Sequence, residues 1–302
     1  MEHKILIDAN VFLRFYDTKD GAFKALLEFI EKISTKIFVT EQTKNEIFRN
    51  KIEVAITSFT NLEKNLKVKG AELPIQFSDP DSKKWNEYVG KMSSLQEEQK
   101  EIFGTLLKAI SENRDNVSIR LDSILSKAKP FDEATFSKAE RRKKLGIPPG
   151  KKNDPIGDEL TWEQFLGSLQ PSDRVIIVSY DGDYIDSYND ESFLNPVLVN
   201  DLIGKGIPRG NIFPFHKLIE FYKKFKDELN TAIDLSEELA KKISKEEAVP
   251  PANFGGYGTY SGYAGATGAP SNYRTSAAAA PAGDFGGYGT YSPSQSGTAY
   301  FG

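Results

Sequence analysis

Cysteine is absent from this chain, and histidine and methionine each occur only twice in 302 residues. Without cysteine there can be no disulfide framework, no thiolate metal site and no cysteine nucleophile, which fits a reducing compartment. No apolar run approaches the roughly 18 residues that a bilayer-spanning helix needs. The first residues lead straight into a strand pattern, with no apolar stretch of a secretory signal before it. A cytoplasmic protein without membrane contact is therefore expected. The formal net charge of −4 excludes a global basic field, so any polyanion must be met by a local patch. Hydrophobic residues make up 39% of the chain, enough to build one large domain or two small ones.

A second absence begins at residue 249. Beyond Val249 there is no Ile, Leu, Val or Met; the chain becomes Gly, Ala, Ser, Thr, Tyr and Phe, and FGGYGTYS at 254–261 recurs at 285–292. Such a segment cannot bury enough branched apolar surface to offset its ordering entropy. Residues 249–302 are predicted to be a disordered low-complexity tail whose aromatic groups suit self-association or docking onto a protein partner, with a plain spacer or stacking of its tyrosines on unpaired bases as the alternatives.

What is present before the tail alternates between strand and helix signals. KILID (4–8) and KIFVT (36–40) are short apolar strands, AFKALLEFIEKI (22–33) is amphipathic, and a further helix opens at TEQTKNEIF. ELTWEQFLGSL (159–169) is helical, RVIIVSYD (174–181) is a continuous apolar strand ending in acid, and Ile212, Phe213 and Phe215 suggest one more strand. From HKLIEF onward one long helix is expected to about residue 246. Strands alternating with helices argue an α/β fold, a parallel sheet flanked by helices. Residues 58–145 carry no strand signal; Trp85, Tyr88, Met92, Leu95, Gln99, Ile102, Leu106 and Ala109 recur three and four apart, as in one helix of a helical pair. The expected organisation is a core of 1–57 and 146–226, an all-helical insertion at 58–145, a C-terminal helix at 227–248, and the tail.

The chemistry lies in the carboxylates. Ligands of open α/β sheets gather at the carboxyl ends of strands. Asp8 ends the first strand, Asp181 ends VIIVSY with Asp183 two residues on, Glu46 lies early in the helix after the second strand, and Asp158 opens the ELTWEQFL helix. Each has an ordinary alternative: Asp158 as a helix cap, Asp181-Gly182-Asp183 as a turn, Glu46 as a solvated helix residue. Brought together by the sheet, they would repel, and cations would be needed to hold them ionised. Oxygen-only ligands at that charge density suit Mg²⁺ or Mn²⁺, ions that polarise a phosphodiester and activate water.

ILIDANVFL, VTEQTKNEIF, GDELTW and VIIVSYDGDY resemble, in order, the four acidic motifs of PIN-domain nucleases. IPPGKKNDPIGDELTWEQFL (147–166) resembles the pattern of the PIN-like subfamily with a large helical insertion between the second and third acids. The resemblance covers about residues 1–226. It implies a parallel α/β sandwich and metal-dependent endoribonuclease chemistry, more rarely DNA cleavage. By position, Asp8, Glu46, Asp158 and Asp181 match the acidic quartet and Asp183 a frequent second acid of the last motif. In the implied site Asp8, Asp158, Asp181 and Asp183 hold the metal and Glu46 completes the shell. Asn10 and Ser179 match polar residues supporting the first and last acids, and Lys152 and Asp154 fall in the subfamily's loop. DANVF also resembles the opening of haloacid-dehalogenase phosphatases, but those need a second Asp where Asn10 stands.

An acidic site requires cationic surroundings to accept a nucleic acid. Arg141, Arg142, Lys143 and Lys144 form the sharpest basic run, followed by Lys151 and Lys152; Lys64, Lys67 and Lys69 end another helix. Arg141, Arg142, Lys143 and Lys152 are the expected phosphate contacts, with a solvated helix C-terminus as the alternative. His3 and His216 are not expected to act in catalysis. The rival to an RNA-cleaving enzyme is a PIN-fold binding or assembly protein with weak or gated catalysis, recruiting partners through the insertion and the tail.

Overall fold

The computed structural model describes residues 2–18, 21, 23–66, 78–150 and 155–248; the tail at 249–302, Lys67, Lys69, Lys151, Lys152 and Asp154 lie outside them. The chain opens with β1 (His3–Ile7), α1 (Ala9–Asp17), α2 (Phe23–Lys32), β2 (Ile37–Phe38) and α3 (Glu41–Leu66). Three further helices follow: α4 (Asp79–Ser111), α5 (Asn116–Leu125) and α6 (Glu133–Lys144). Next come α7 (Gly157–Ser168), β3 (Arg174–Val178), the hairpin β4 (Ile185–Tyr188) and β5 (Glu191–Leu194), and α8 (Pro196–Gly204). The described chain ends with β6 (Ile212–Phe215), α9 (Leu218–Phe225) and α10 (Glu237–Glu247). No helix among the described residues is long and apolar enough to cross a membrane.

The sheet is parallel, in the order β2-β1-β3-β6, with Ile5 beside Ile37 and Ile176, and Ile176 beside Phe213. Side chains alternate across a strand, and Ile5–Ile7 of β1 and Val175–Val178 of β3 are apolar and buried at successive positions, so each face needs its own cover. Ile5, Ile7, Ile176 and Val178 enter one core with α1, α2, α5, α9 and α10. Leu6, Val175 and Ile177 enter the other, against Trp162, Phe165 and Leu166 of α7 and Leu198 and Leu202 of α8.

The helices between β2 and β3 are tied to this frame at three places. Lys51 of α3 donates to Asn113 and to Ser118 Oγ at 3.0 Å, and Tyr16 of α1 meets the same hydroxyl at 2.9 Å. Thr40, just past β2, forms an isolated parallel bridge with Lys129. Arg142 of α6 donates to Glu163 and Asp201, each at 2.8 Å, and to the carbonyl of Pro148. The expected boundary between residues 57 and 58 falls within α3, which runs unbroken through it.

Two expectations are corrected. The single long helix after HKLIEF is two helices, α9 and α10, because Asn230 and Ala232 between them adopt left-handed backbone at φ 52° and 51°, which a right-handed helix does not admit. In α4 the spacing is helical, but the side turned to its own chain is Val89, Met92, Gln96, Gln99, Phe103 and Ile110, while Tyr88, Leu95, Ile102 and Leu106 are exposed.

The break lets α10 turn back onto the sheet. Its Glu247 accepts from the backbone N–H groups of Leu218 (2.9 Å) and Ile219 (3.1 Å), two of the open donors at the start of α9, and from Tyr180 Oη at 2.6 Å. Burial pushes the Glu247 carboxyl up to about 7, against the pull of those three donors. A folded-state value above the unfolded one makes its contribution complete below about pH 4.5 and lost as pH rises through 7. The shift from 4.5 to about 7 corresponds to roughly 3 kcal/mol at most. Urea denaturation of wild type and Glu247→Gln at pH 5 and pH 8 is expected to show the wild type losing stability relative to the variant at the higher pH. Parallel pH profiles would refute this assignment.

Candidate active site

Asp8 follows β1 directly; its N–H continues the ladder to the Val178 carbonyl at 3.0 Å, and its backbone occupies the cap position of α1. Its carboxylate does not cap that helix. It accepts instead from Ser179 Oγ at 2.6 Å, across the seam between β1 and β3. Ser179 Oγ in turn accepts from the Asp181 N–H at 3.0 Å, so one hydroxyl fixes the spacing of the first and last acids. Asn10 Oδ1 accepts from the Tyr180 N–H at 3.4 Å and supports the same turn from the other strand end.

Asp158 is not the cap of α7. Ile156 occupies that position and Asp158 lies in the first turn, where the helix dipole favours a negative charge. At Gly157, α7 lies directly against the Gln42 side chain of α3. Glu46 is one turn beyond Gln42 on α3, so the same close approach carries Glu46 toward Asp158. Asp8, Glu46 and Asp158 line one small cavity with Thr43, Ser179 and Tyr184. Asp181 lies outside that lining but within its field, since its charge raises the carboxyls of the other three. Its Oδ1 accepts from the Asp183 N–H at 2.9 Å, which also makes the Asp-Gly-Asp turn the sequence suggests.

Charge accumulates accordingly. Burial, then the Glu46 carboxylate, then Asp181 push Asp8 up to about 7, against the Ser179 hydrogen bond. Burial raises Glu46 as well, with Arg49 opposing and Asp181 reinforcing. Asp158 is held well above the usual carboxylate range by burial and by Asp8, Glu46 and Asp181. Carboxyls so placed either share protons or neutralise a cation. Among the described residues no three acidic or histidine side chains already converge as a finished coordination sphere. The donor set itself, buried oxygens whose repulsion a cation would relieve, fits a hard divalent ion.

Sequence reasoning missed three neighbours. Tyr184 is buried and its hydroxyl donates to the Asp158 carbonyl at 3.3 Å; it stands in the same VIIVSYDGDY stretch as Asp181. Thr43 lies one turn before Glu46 on α3 and has no sequence signal of its own. Glu159 is 1% exposed, pairs with Lys143 at 3.1 Å, and leaves its Oε2 without a hydrogen bond.

The basic run is rearranged. The expectation of Arg142 as a phosphate contact is corrected, because its guanidinium is buried among Glu163, Asp201 and the Pro148 carbonyl, where it joins α6 to α7 and α8. Lys143 is engaged with Glu159. Arg141 is exposed on α6, as is Lys144, which pairs with Glu140 at 3.1 Å. His3 sits at the opposite end of β1, bonded to Glu228 at 2.8 Å. His216 ends up near the site: its ring meets Tyr180 edge-on at 6.2 Å, and burial lowers its pKa.

No curated protein and no solved structure gives a significant match to the chain. A family model described as PIN domain matches residues 5–184, a span that begins in β1, includes Asp8, Glu46, Asp158 and Asp181, and closes on Tyr184. PIN domains are generally nucleases that act on nucleic acid and typically use divalent metals. With its parallel sheet and more than half its length matched, the chain belongs to the PIN-domain family.

Proposed function

We propose that this protein is a Mg²⁺- or Mn²⁺-dependent endoribonuclease that hydrolyses phosphodiester bonds at the Asp8, Glu46, Asp158 and Asp181 cluster. The observation that carries this is the convergence of Asp8, Glu46 and Asp158 on one cavity, with carboxyls raised by burial and mutual repulsion and with Asp181 in the same field. RNA is placed before DNA because the family resemblance implies it more often.

Asp8, Asp158, Asp181 and Asp183 would hold the ion, with Glu46 completing the shell. A divalent cation there would polarise the phosphoryl oxygen and make a bound water acidic enough to attack. Ser179 orients Asp8 and the Asp181 backbone with one hydroxyl. Tyr184 closes the floor beside Asp158. Exposed Arg141 and the loop lysine Lys152 would meet backbone phosphates, with Lys143 released from Glu159 to join them. Burial of the acids at one small cavity also supports a second reading, weak or gated catalysis in a binding or assembly protein.

Labelled single-stranded RNA, structured RNA and single-stranded DNA, each incubated with Mg²⁺, Mn²⁺ or EDTA, separate these readings. Wild type is expected to cut RNA only with metal, and Asp8→Asn and Asp181→Asn are each expected to lose about 100-fold or more. Ser179→Ala, which keeps every acid but frees Asp8, is expected to lose on the order of 10-fold. Mn²⁺ is expected to raise the melting temperature of wild type, by about 2.7 kcal/mol of stabilisation at a hundredfold excess over its Kd, and to leave Asp8→Asn unmoved. A metal-induced shift without cleavage would favour the gated reading. Absence of both cleavage and shift would overturn the metal-dependent enzyme.

A further inference from the structure

Among the described residues, the 33-residue helix α4 packs along one side against α3. Phe103 stacks on Phe59 of α3 at 4.5 Å, and Lys51, earlier in α3, reaches Asn113, just past α4, so the two helices run antiparallel. Beside that contact runs a second apolar line. Tyr88, Leu95 and Ile102, each seven residues from the next, are 48%, 56% and 53% exposed, and Leu106 adds 43%. Single exposed apolar side chains are ordinary, but a seven-residue repeat is the seam of a helix meant to pack against another helix.

We propose that this outer face of α4 binds the same face of a second copy of this chain, antiparallel, about a two-fold axis near Leu95. The flanking charges choose the occupant and its direction. Lys84, Lys91 and Glu98, also seven apart, border the seam on the side away from α3, and all three are exposed. Along that flank the sign changes from positive to negative on either side of Leu95. In antiparallel packing the same flank of the two helices meets. An axis near Leu95 then sets Tyr88 against Ile102 of the second copy and Lys91 against its Glu98. The two-fold makes that ion pair twice, as an isologous interface requires. A parallel copy would need the opposite flank, which α3 already covers. The seam lies apart from the carboxylate cavity, so the pairing does not depend on the activity proposed above.

Sedimentation of the full chain tests this. Wild type is expected to be dimeric, and Leu95→Glu with Ile102→Glu monomeric with unchanged helix content by circular dichroism. Lys91→Glu and Glu98→Lys, each placing like charges opposite one another, are each expected to weaken the dimer about 10-fold or more. The double variant Lys91→Glu/Glu98→Lys restores both pairs with the signs exchanged and is expected to return to wild-type affinity. A monomeric wild type would overturn the proposal. So would a dimer indifferent to Leu95→Glu/Ile102→Glu, which would point to the aromatic tail instead. Loss of the dimer in both single charge variants without recovery in the double would overturn the antiparallel pairing.

Discussion

Carboxylates buried within reach of one another repel, and the positions of Asp8, Glu46 and Asp158 make sense only where protons or a cation relieve that repulsion. The parallel sheet creates this condition. With β1 beside β3, both chains leave the sheet at the same edge, and Asp8 and Asp181 emerge as neighbours although 173 residues separate them. The Ser179 hydroxyl spans the seam and sets their spacing. The remaining acids arrive from helix starts: Glu46 on α3 and Asp158 on α7, where Gly157 of α7 lies against Gln42 of α3.

The surrounding structure holds this arrangement from two sides. Behind it, Glu247 of α10 reaches under the turn to the Tyr180 hydroxyl and to the N-terminus of α9. The residue before Asp181 is therefore anchored by the last described helix. In front, Arg142 bonds α6 to Glu163 of α7, to Asp201 of α8 and to the Pro148 carbonyl. A buried guanidinium requires such partners. The most basic stretch of the sequence is thus divided between structure, in Arg142, and an exposed surface, in Arg141.

Much of the fold could be read from the sequence because the sheet strands are short, apolar in their buried parts and separated by helical periods. KILI, IF, RVIIV and IFPF all lie in the parallel sheet, and the family match spans residues 5–184. Helix continuity was less legible. The run from HKLIEF to residue 246 keeps a helical period, and nothing in composition announces that Asn230 and Ala232 turn left-handed between α9 and α10. The period of α4 was legible, but which side of it faces the chain was not: two apolar lines lie side by side on that helix, and only packing against Phe59 selects one.

The sequence by itself determined the acidic residues and the strand or helix each one terminates or begins, because local pattern is set by neighbouring residues. Only the tertiary structure decided which acids share a field and which cation is spent on packing. Arg142 reads in the sequence as a phosphate contact and Glu159 carries no signal there, yet both are buried and paired in the fold. Electrostatic environment depends on burial and on distances through space, and those are properties of the folded chain alone.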